Sequence, residues 1–177
     1  MAATAAVAAF PYVMTRPAFG AEGTEGIRLG VIGTGNQGRG HLNQELVFKN
    51  VVAICDVDDK MLAEGRKRVE DKTKRTPATY KDYRKMLEKE NLDAVLICTP
   101  DHWHALQTID ACAAGKHVYV EKPMALTINE TQLMLKAARK YNVVVQNGSM
   151  QRSMPGFREA CEYARNEYLG EVKMVRV

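Results

Sequence analysis

From residue 27 onward the chain alternates two hydrophobic periods. Short apolar runs rich in β-branched residues occur at 27–32, 51–55, 94–99, 117–120 and 143–145, with a weaker one at 78–79. Such runs, bounded by Gly, Pro and charged residues, predict strands. Between them, apolar residues recur at helical spacing. Leu42 and Leu46 share one face of a helix predicted over 37–48. A charged helix is predicted over 60–72, and a short amphipathic one around Tyr83, Met86 and Leu87. Another follows over 105–114, closed by Gly115, and a last one runs from the capping box Thr127-Ile128-Asn129-Glu130 to about residue 141. The run 94–99 is continuously apolar, as a strand buried on both faces of a parallel sheet requires, and Pro100 ends it. Strands joined by helical crossovers predict an α/β fold, a doubly wound parallel sheet with helices on both faces.

The rhythm changes after residue 148. An amphipathic helix with Pro155 at its start is predicted over 155–168, followed by Gly170. Residues 171–177 then alternate polar and apolar, the pattern of a half-buried strand in an open-faced sheet. The expected organisation is a nucleotide-type domain over 26–148 and, over 149–177, the first elements of a truncated second α/β domain. Residues 1–25 stand apart. Residues 1–10 are nearly all Ala and Val, and Ala18-Phe19-Gly20 loosely fits a small-x-small cleavage site. The run is too short to span a membrane but has the length of a signal-peptide core, without the charged start. The expectation is a clipped export signal, hence a periplasmic or exported protein; the alternatives are a disordered tail and a cytoplasmic location.

Composition narrows the class. The chain has 177 residues, 46% hydrophobic and 26% charged, as in a soluble domain of ordinary size. The net charge of +4 is modest. Its densest basic stretch, Arg66 to Arg75, is interleaved with Glu70 and Asp71 and has no aromatic residues, so it reads as a solvated helix face and not as a nucleic-acid surface. Cys55, Cys98, Cys112 and Cys161 form no C-x-x-C pair and are expected as free thiols. His102 and His104 with Asp101 lack further ligands nearby, so no metal is expected.

The chemistry concentrates where predicted strands end. The first strand runs directly into Gly33-Thr34-Gly35-Asn36-Gln37-Gly38, and Asp56 closes the second. This is the strand, glycine turn, helix, strand and acid layout of a dinucleotide-binding unit. Gly33 permits the tight turn, Gly35 lets a pyrophosphate approach the backbone, and Gly38 lets the helix pack on the sheet. The helix N-terminus offers unpaired N–H groups and a positive dipole end. Asp56 is suited to accept hydrogen bonds from ribose hydroxyls and to repel a 2′-phosphate, and no Lys or Arg follows before Lys60, so NAD is expected over NADP. Two more motifs sit at strand ends, Thr99-Pro100-Asp101-His102-Trp103-His104 and Glu121-Lys122-Pro123. In open α/β sheets these ends share one crevice. His41 reads as a surface or supporting residue and Trp103 as a packed or substrate-side aromatic.

These motifs resemble the Gfo/Idh/MocA family, named for glucose–fructose oxidoreductase and inositol dehydrogenase. The matching residues are the glycine turn, Asp56, the T-P-D-x-x-H pattern from Thr99 to His104, and G-K-H-V-Y-V-E-K-P-M-A from Gly115 to Ala125. Residues 148–153 and 157–161 look like a branch often carrying twin-arginine export signals. The resemblance implies a Rossmann NAD(P)-binding domain and an NAD-dependent oxidoreductase that moves a hydride between a sugar or polyol hydroxyl and nicotinamide. Two alternatives stay open: an NAD-dependent glycosidase that transiently oxidises its sugar, and a non-catalytic nucleotide-binding module. Gly33, Thr34, Gly35, Asn36, Gln37, Gly38 and Asp56 would hold the cofactor. Thr99, Pro100 and His104 would line its nicotinamide side, and Glu121 and Lys122 would lie near the nicotinamide ribose and substrate. Lys122 and His104 are the implied catalytic residues, Lys122 by positioning the substrate hydroxyl and assisting proton transfer. The resemblance and the position also imply a cis Lys122–Pro123 bond. Family members carry a second domain with a large antiparallel sheet that completes the substrate pocket and usually mediates homo-oligomers. These residues do not encode it, so the chain alone is expected to bind cofactor and turn over sugars negligibly.

Overall fold

The computed structural model describes residues 26–176. The strands are β1 (Leu29–Ile32), β2 (Val51–Cys55), β3 (Ala78–Tyr80), β4 (Ala94–Ile97), β5 (His117–Val120) and β6 (Val145–Asn147). They form one six-stranded sheet in the order β3-β2-β1-β4-β5-β6, with every neighbouring pair parallel. The helices are α1 (Asn36–His41), α2 (Glu45–Asn50), α3 (Asp59–Thr73), α4 (Tyr83–Lys89), α5 (Asp101–Ala113), α6 (Ile128–Tyr141) and α7 (Pro155–Arg165). Strand order reverses between β1 and β4, which opens a crevice at their carboxyl ends.

The strand pleat sorts the core into two layers. Val31, Ile54 and Leu96 point to one face and pack with Leu42, Val47 and Val69 of the α1–α3 side. Ile32, Ala53, Val95 and Ile97 point to the other and pack with Met86, Ala111, Cys112 and Met134 of α4, α5 and α6. Successive residues of β1 and β4 are thus buried on opposite faces, which is why these runs are apolar throughout. The capping box forms as read: Thr127 accepts from the Glu130 amide and Glu130 from the Thr127 amide. All four cysteines are free. Among the described residues no helix is long and apolar enough to cross a membrane.

Four elements differ from the sequence reading. The helix predicted over 37–48 is two, α1 and α2. The carbonyls of Leu42 and Asn43 accept from Lys72 Nζ, at 3.4 Å and 3.2 Å, and the Asn43 side chain accepts from Lys72 and Arg68. The basic stretch therefore also caps the break in this helix. Helix α5 begins at Asp101, with Pro100 as its N-cap, so the residues from Asp101 to His104 lie on its first turn and not in a loop. Strand β6 lies two residues later than the apolar run, because Val145 is the residue that registers with Val118. The strand expected over 171–177 does not form within the described residues. Residues 149–176 are exposed throughout, and an alternating segment becomes a strand only when a neighbour takes its backbone hydrogen bonds. The export signal expected over 1–25 lies outside the described residues.

Candidate functional site at the carboxyl edge of the sheet

The crevice is a cavity of about 690 Å³. It is walled by Gly33, Gly35, Asn36 and Gln37 of the glycine turn, by Asp56 after β2, and by Thr99, Pro100 and Trp103 after β4. Each glycine of the turn is fixed by a different constraint. Gly33 has φ +87°, and a Cβ there would lie 2.9 Å from the backbone of Cys98 and Thr99. A Cβ on Gly38 would lie 2.0 Å from the Gly33 carbonyl oxygen. A Cβ on Gly35 would meet nothing within 4 Å, so the space over Gly35 is open to the cavity. That opening is a cradle for a group that must approach backbone closely. The first-turn amides of α1 have no intrahelical partners and suit a pyrophosphate there. The residues present therefore fit a dinucleotide.

Asp56 builds the turn as well as facing the cavity. One carboxylate oxygen accepts from the Thr34 amide at 2.7 Å and from the Thr34 hydroxyl at 3.2 Å, and the other accepts from the Asp58 amide at 2.9 Å. Thr34 is buried, its hydroxyl donating to the Met61 carbonyl at 2.8 Å. A Cβ on Gly65 would press on the Thr34 side chain at 3.0 Å, so α3 seats tightly against the turn. The thiol of Cys55, next to Asp56, is pushed up to about 12 by burial and then by the neighbouring carboxylate. Burial, and then Glu121, also raises the Cys98 thiol. Neither is a nucleophile near neutral pH.

The remaining predicted residues are not part of this wall, although Thr34, Gly38 and His104 pack directly behind it. Thr34, Gly38, His104, Glu121 and Lys122 do not line the cavity. His104, expected at the nicotinamide side, is 1% exposed, and both ring nitrogens are taken: Nδ1 lies 2.7 Å from the Pro123 carbonyl and Nε2 lies 2.7 Å from the Thr99 carbonyl. It ties two loops together and offers no free nitrogen to a reactant. The start of α5 at Asp101 turned it inward. Glu121 is 2% exposed and its Oε1 lies 2.5 Å from His41 Nε2, while its Oε2 accepts from the Lys122 amide at 3.1 Å. Lys122 itself is exposed, and the Lys122–Pro123 bond is cis.

Sequence reasoning missed one wall. Lys81 and Asp82, between β3 and α4, and Tyr83 and Arg84, the first residues of α4, also line the cavity. Lys81 donates to Asp59 at 2.7 Å, and the Arg84 guanidinium stacks over the Tyr83 ring at 4.5 Å. The carboxyl end of β3 was the available signal, since loops at that edge of the sheet converge on the crevice.

A six-stranded parallel sheet of this order, with a glycine turn and an acid at its switch point, defines a dinucleotide-binding domain of the Rossmann class. The family model described as "Oxidoreductase family, NAD-binding Rossmann fold" matches residues 27–149, and the chain belongs to that family. Among curated relatives, an alpha-N-acetylgalactosaminidase of Shewanella oneidensis is 34% identical over 122 residues, covering 66% of this chain and 27% of that protein. Among solved structures, myo-inositol 2-dehydrogenase of Lactobacillus plantarum is 30% identical with a TM-score of 0.71, covering 82% of this chain and 43% of its own. Scyllo-inositol dehydrogenase of Lactobacillus casei, solved with NAD(H) and scyllo-inositol, is 25% identical with a TM-score of 0.68, covering 82% of this chain and 42% of its own. The chain thus spans about a quarter of that curated relative and less than half of each of these solved chains.

Proposed function

We propose that the chain is the cofactor-binding portion of an NAD-dependent oxidoreductase acting on a sugar or polyol hydroxyl. The observation that carries this is the open cradle over Gly35 in the same cavity as Asp56 and Thr99. When bound, NAD supplies the hydride acceptor. The first turn of α1 would hold its pyrophosphate and Asp56 its adenosine ribose. Asp56 and Asp82 line that end of the site with Lys81 and Arg84, and both cations are already paired, Lys81 with Asp59 and Arg84 with Asp82 and Asp110. This balance opposes a 2′-phosphate and favours NAD over NADP. Lys122 would orient the substrate hydroxyl and assist its proton transfer.

Residues 149–177 are read as the entry to a second, substrate-binding domain, and residues 1–25 as belonging to an export signal. Catalysis depends on holding the substrate carbon against the nicotinamide in a site that excludes water. An exposed Lys122 provides neither, so the chain alone is expected to bind NAD(H) with negligible turnover. The test is a spectrophotometric assay of the chain, and of a longer form that includes the downstream domain, with NAD and a panel of sugars and polyols. NADH formed only by the longer form, and lost in Lys122→Ala, supports the reading. Robust NADH formation by the chain alone would overturn the assigned need for a second domain.

A second reading is favoured by the curated glycosidase relative: an NAD-dependent glycosidase that oxidises its sugar transiently, eliminates the aglycone and reduces the sugar again. Release of aglycone from a synthetic glycoside without net NADH would establish it over the dehydrogenase.

A further inference from the structure

The glycine turn follows β1 and Lys122 follows β5, with β4 between them in the sheet, and buried histidines tie residues 121–123 to both neighbouring turns. His41 is the last residue of α1, the helix that opens at the glycine turn, and is 5% exposed. Its Nε2 lies 2.5 Å from Glu121 Oε1, and its ring stands edge-on to Tyr119 with centroids 5.7 Å apart. The second oxygen of the same carboxylate accepts from the Lys122 amide at 3.1 Å. One buried carboxylate thus links the end of α1 to the backbone of Lys122. On the other flank, His104 links the Pro123 carbonyl to the Thr99 turn. Residues 121–123 are therefore held from the pyrophosphate side and from the nicotinamide side. The Lys122 ammonium makes no hydrogen bond or ion pair among the described residues, so the fold holds this residue at its backbone, which sets the point from which the side chain extends.

We propose that His41, acting through Glu121, is a positioning residue for Lys122, carrying the placement of α1 at the glycine turn across the crevice to the lysine. This rests on the reading that the crevice holds NAD with Lys122 beside it. The physical reason is the demand of the buried carboxylate. Glu121 must keep a donor on each oxygen or leave its site. Its other close neighbours, Cys98 and Tyr119, are uncharged groups whose ionisation Glu121 opposes. Without the His41 N–H the side chain reorients and releases the Lys122 amide. Gln at position 41 would present an N–H at similar reach. Leu presents none, and Asn is one methylene too short.

The test uses the chain with its lysines reductively methylated with ¹³C, the Lys122 resonance being assigned by its loss in Lys122→Arg. NAD occupancy is followed separately by quenching of Trp103, the chain's single tryptophan, which stands on the cavity wall. Saturating NAD is expected to shift the Lys122 resonance in the unsubstituted chain and in His41→Gln. In His41→Leu and His41→Asn, NAD should still quench Trp103, and the Lys122 resonance should no longer respond. If the Leu variant does not fold, the comparison of Asn with Gln decides. A Lys122 response preserved in the Asn or Leu variant, or lost equally in the Gln variant, overturns the proposal while leaving NAD binding intact. Absence of Trp103 quenching in the unsubstituted chain overturns the NAD reading itself, and this inference with it.

Discussion

Replacing Gly35 and Gly38 by Ala separates the two jobs of the glycine turn. At Gly35 the backbone has φ −67° and ψ −150°, which an L-residue adopts, and the added methyl meets no atom within 4 Å. Ala is a poorer helix N-cap than Gly, costing up to about 1 kcal/mol. It also stiffens the unfolded chain, which offsets about 0.4–1 kcal/mol. The melting temperature of Gly35→Ala should therefore stay near that of the parent. The methyl would instead fill the space a pyrophosphate needs, and NAD affinity should fall about 100-fold or more, roughly 2.7 kcal/mol. Gly38→Ala is the converse. Its Cβ would sit 2.0 Å from the Gly33 carbonyl oxygen; the oxygen is backbone and a Cβ is fixed by its own backbone, so neither can rotate away. Helix α1 must then lift off the sheet, an overpacking cost of about 3 kcal/mol. In a domain of this size that is a fall of roughly 6–12 °C in melting temperature. Circular dichroism melts and titration of Trp103 fluorescence with NADH measure the two quantities. A Gly35→Ala chain binding NADH as tightly as its parent would refute the placement of the pyrophosphate. A Gly38→Ala chain of unchanged stability would refute the packing.

Asp56→Asn keeps one acceptor and removes the charge; it should lower NAD affinity about tenfold, the loss of one charge-assisted hydrogen bond, and narrow the NAD-to-NADP ratio in the same fluorescence titration. An unchanged ratio would remove Asp56 as the discriminator. Tyr83 donates to Asp110 at 2.6 Å, and burial followed by that bond raises its phenol above the ordinary value of 10.0. A phenol raised on folding adds stability that is complete below its ordinary pKa and lost as the pH rises through the folded value. Tyr83→Phe should therefore cost about 1 kcal/mol at neutral pH and flatten the alkaline loss of stability, read by denaturant melts across the alkaline range. Cys55 has the same sign: its share of stability should decline as pH climbs from 9.0 toward about 12. With an aromatic disulfide reagent near neutral pH, the exposed Cys161 should react while buried Cys55 and Cys112 stay silent until the chain is unfolded. Labelling of Cys55 in the folded chain would contradict its burial.

What the sequence determined by itself is local. Apolar runs and helical spacing anticipated all six strands of the parallel sheet, most sharply the central β1 and β4, because a strand buried on both faces has no polar position to hide its identity; the less buried edge strand β6 lies two residues beyond its run. The glycine turn was legible because each glycine answers a constraint within a few residues or at the next strand end, and Asp56 because it ends β2 beside that turn. Tertiary structure decided the rest. It divided the first helix, since Lys72 of α3 takes the carbonyls that would have continued it. It brought Lys81 and Arg84 to the cavity wall beside Asp56, which no local count of basic residues after β2 could register. It turned His104, a presumed reactive group, inward as an internal tie, and it decided between the surface and supporting readings of His41 by giving it a buried carboxylate. A histidine's role depends on what its two nitrogens face, and those partners, Thr99, Pro123 and Glu121, are supplied by turns that folding brings to it. The alternating run after Gly170 shows the same limit. Its period names a strand, but a strand exists only beside a partner, and no described residues pair with it.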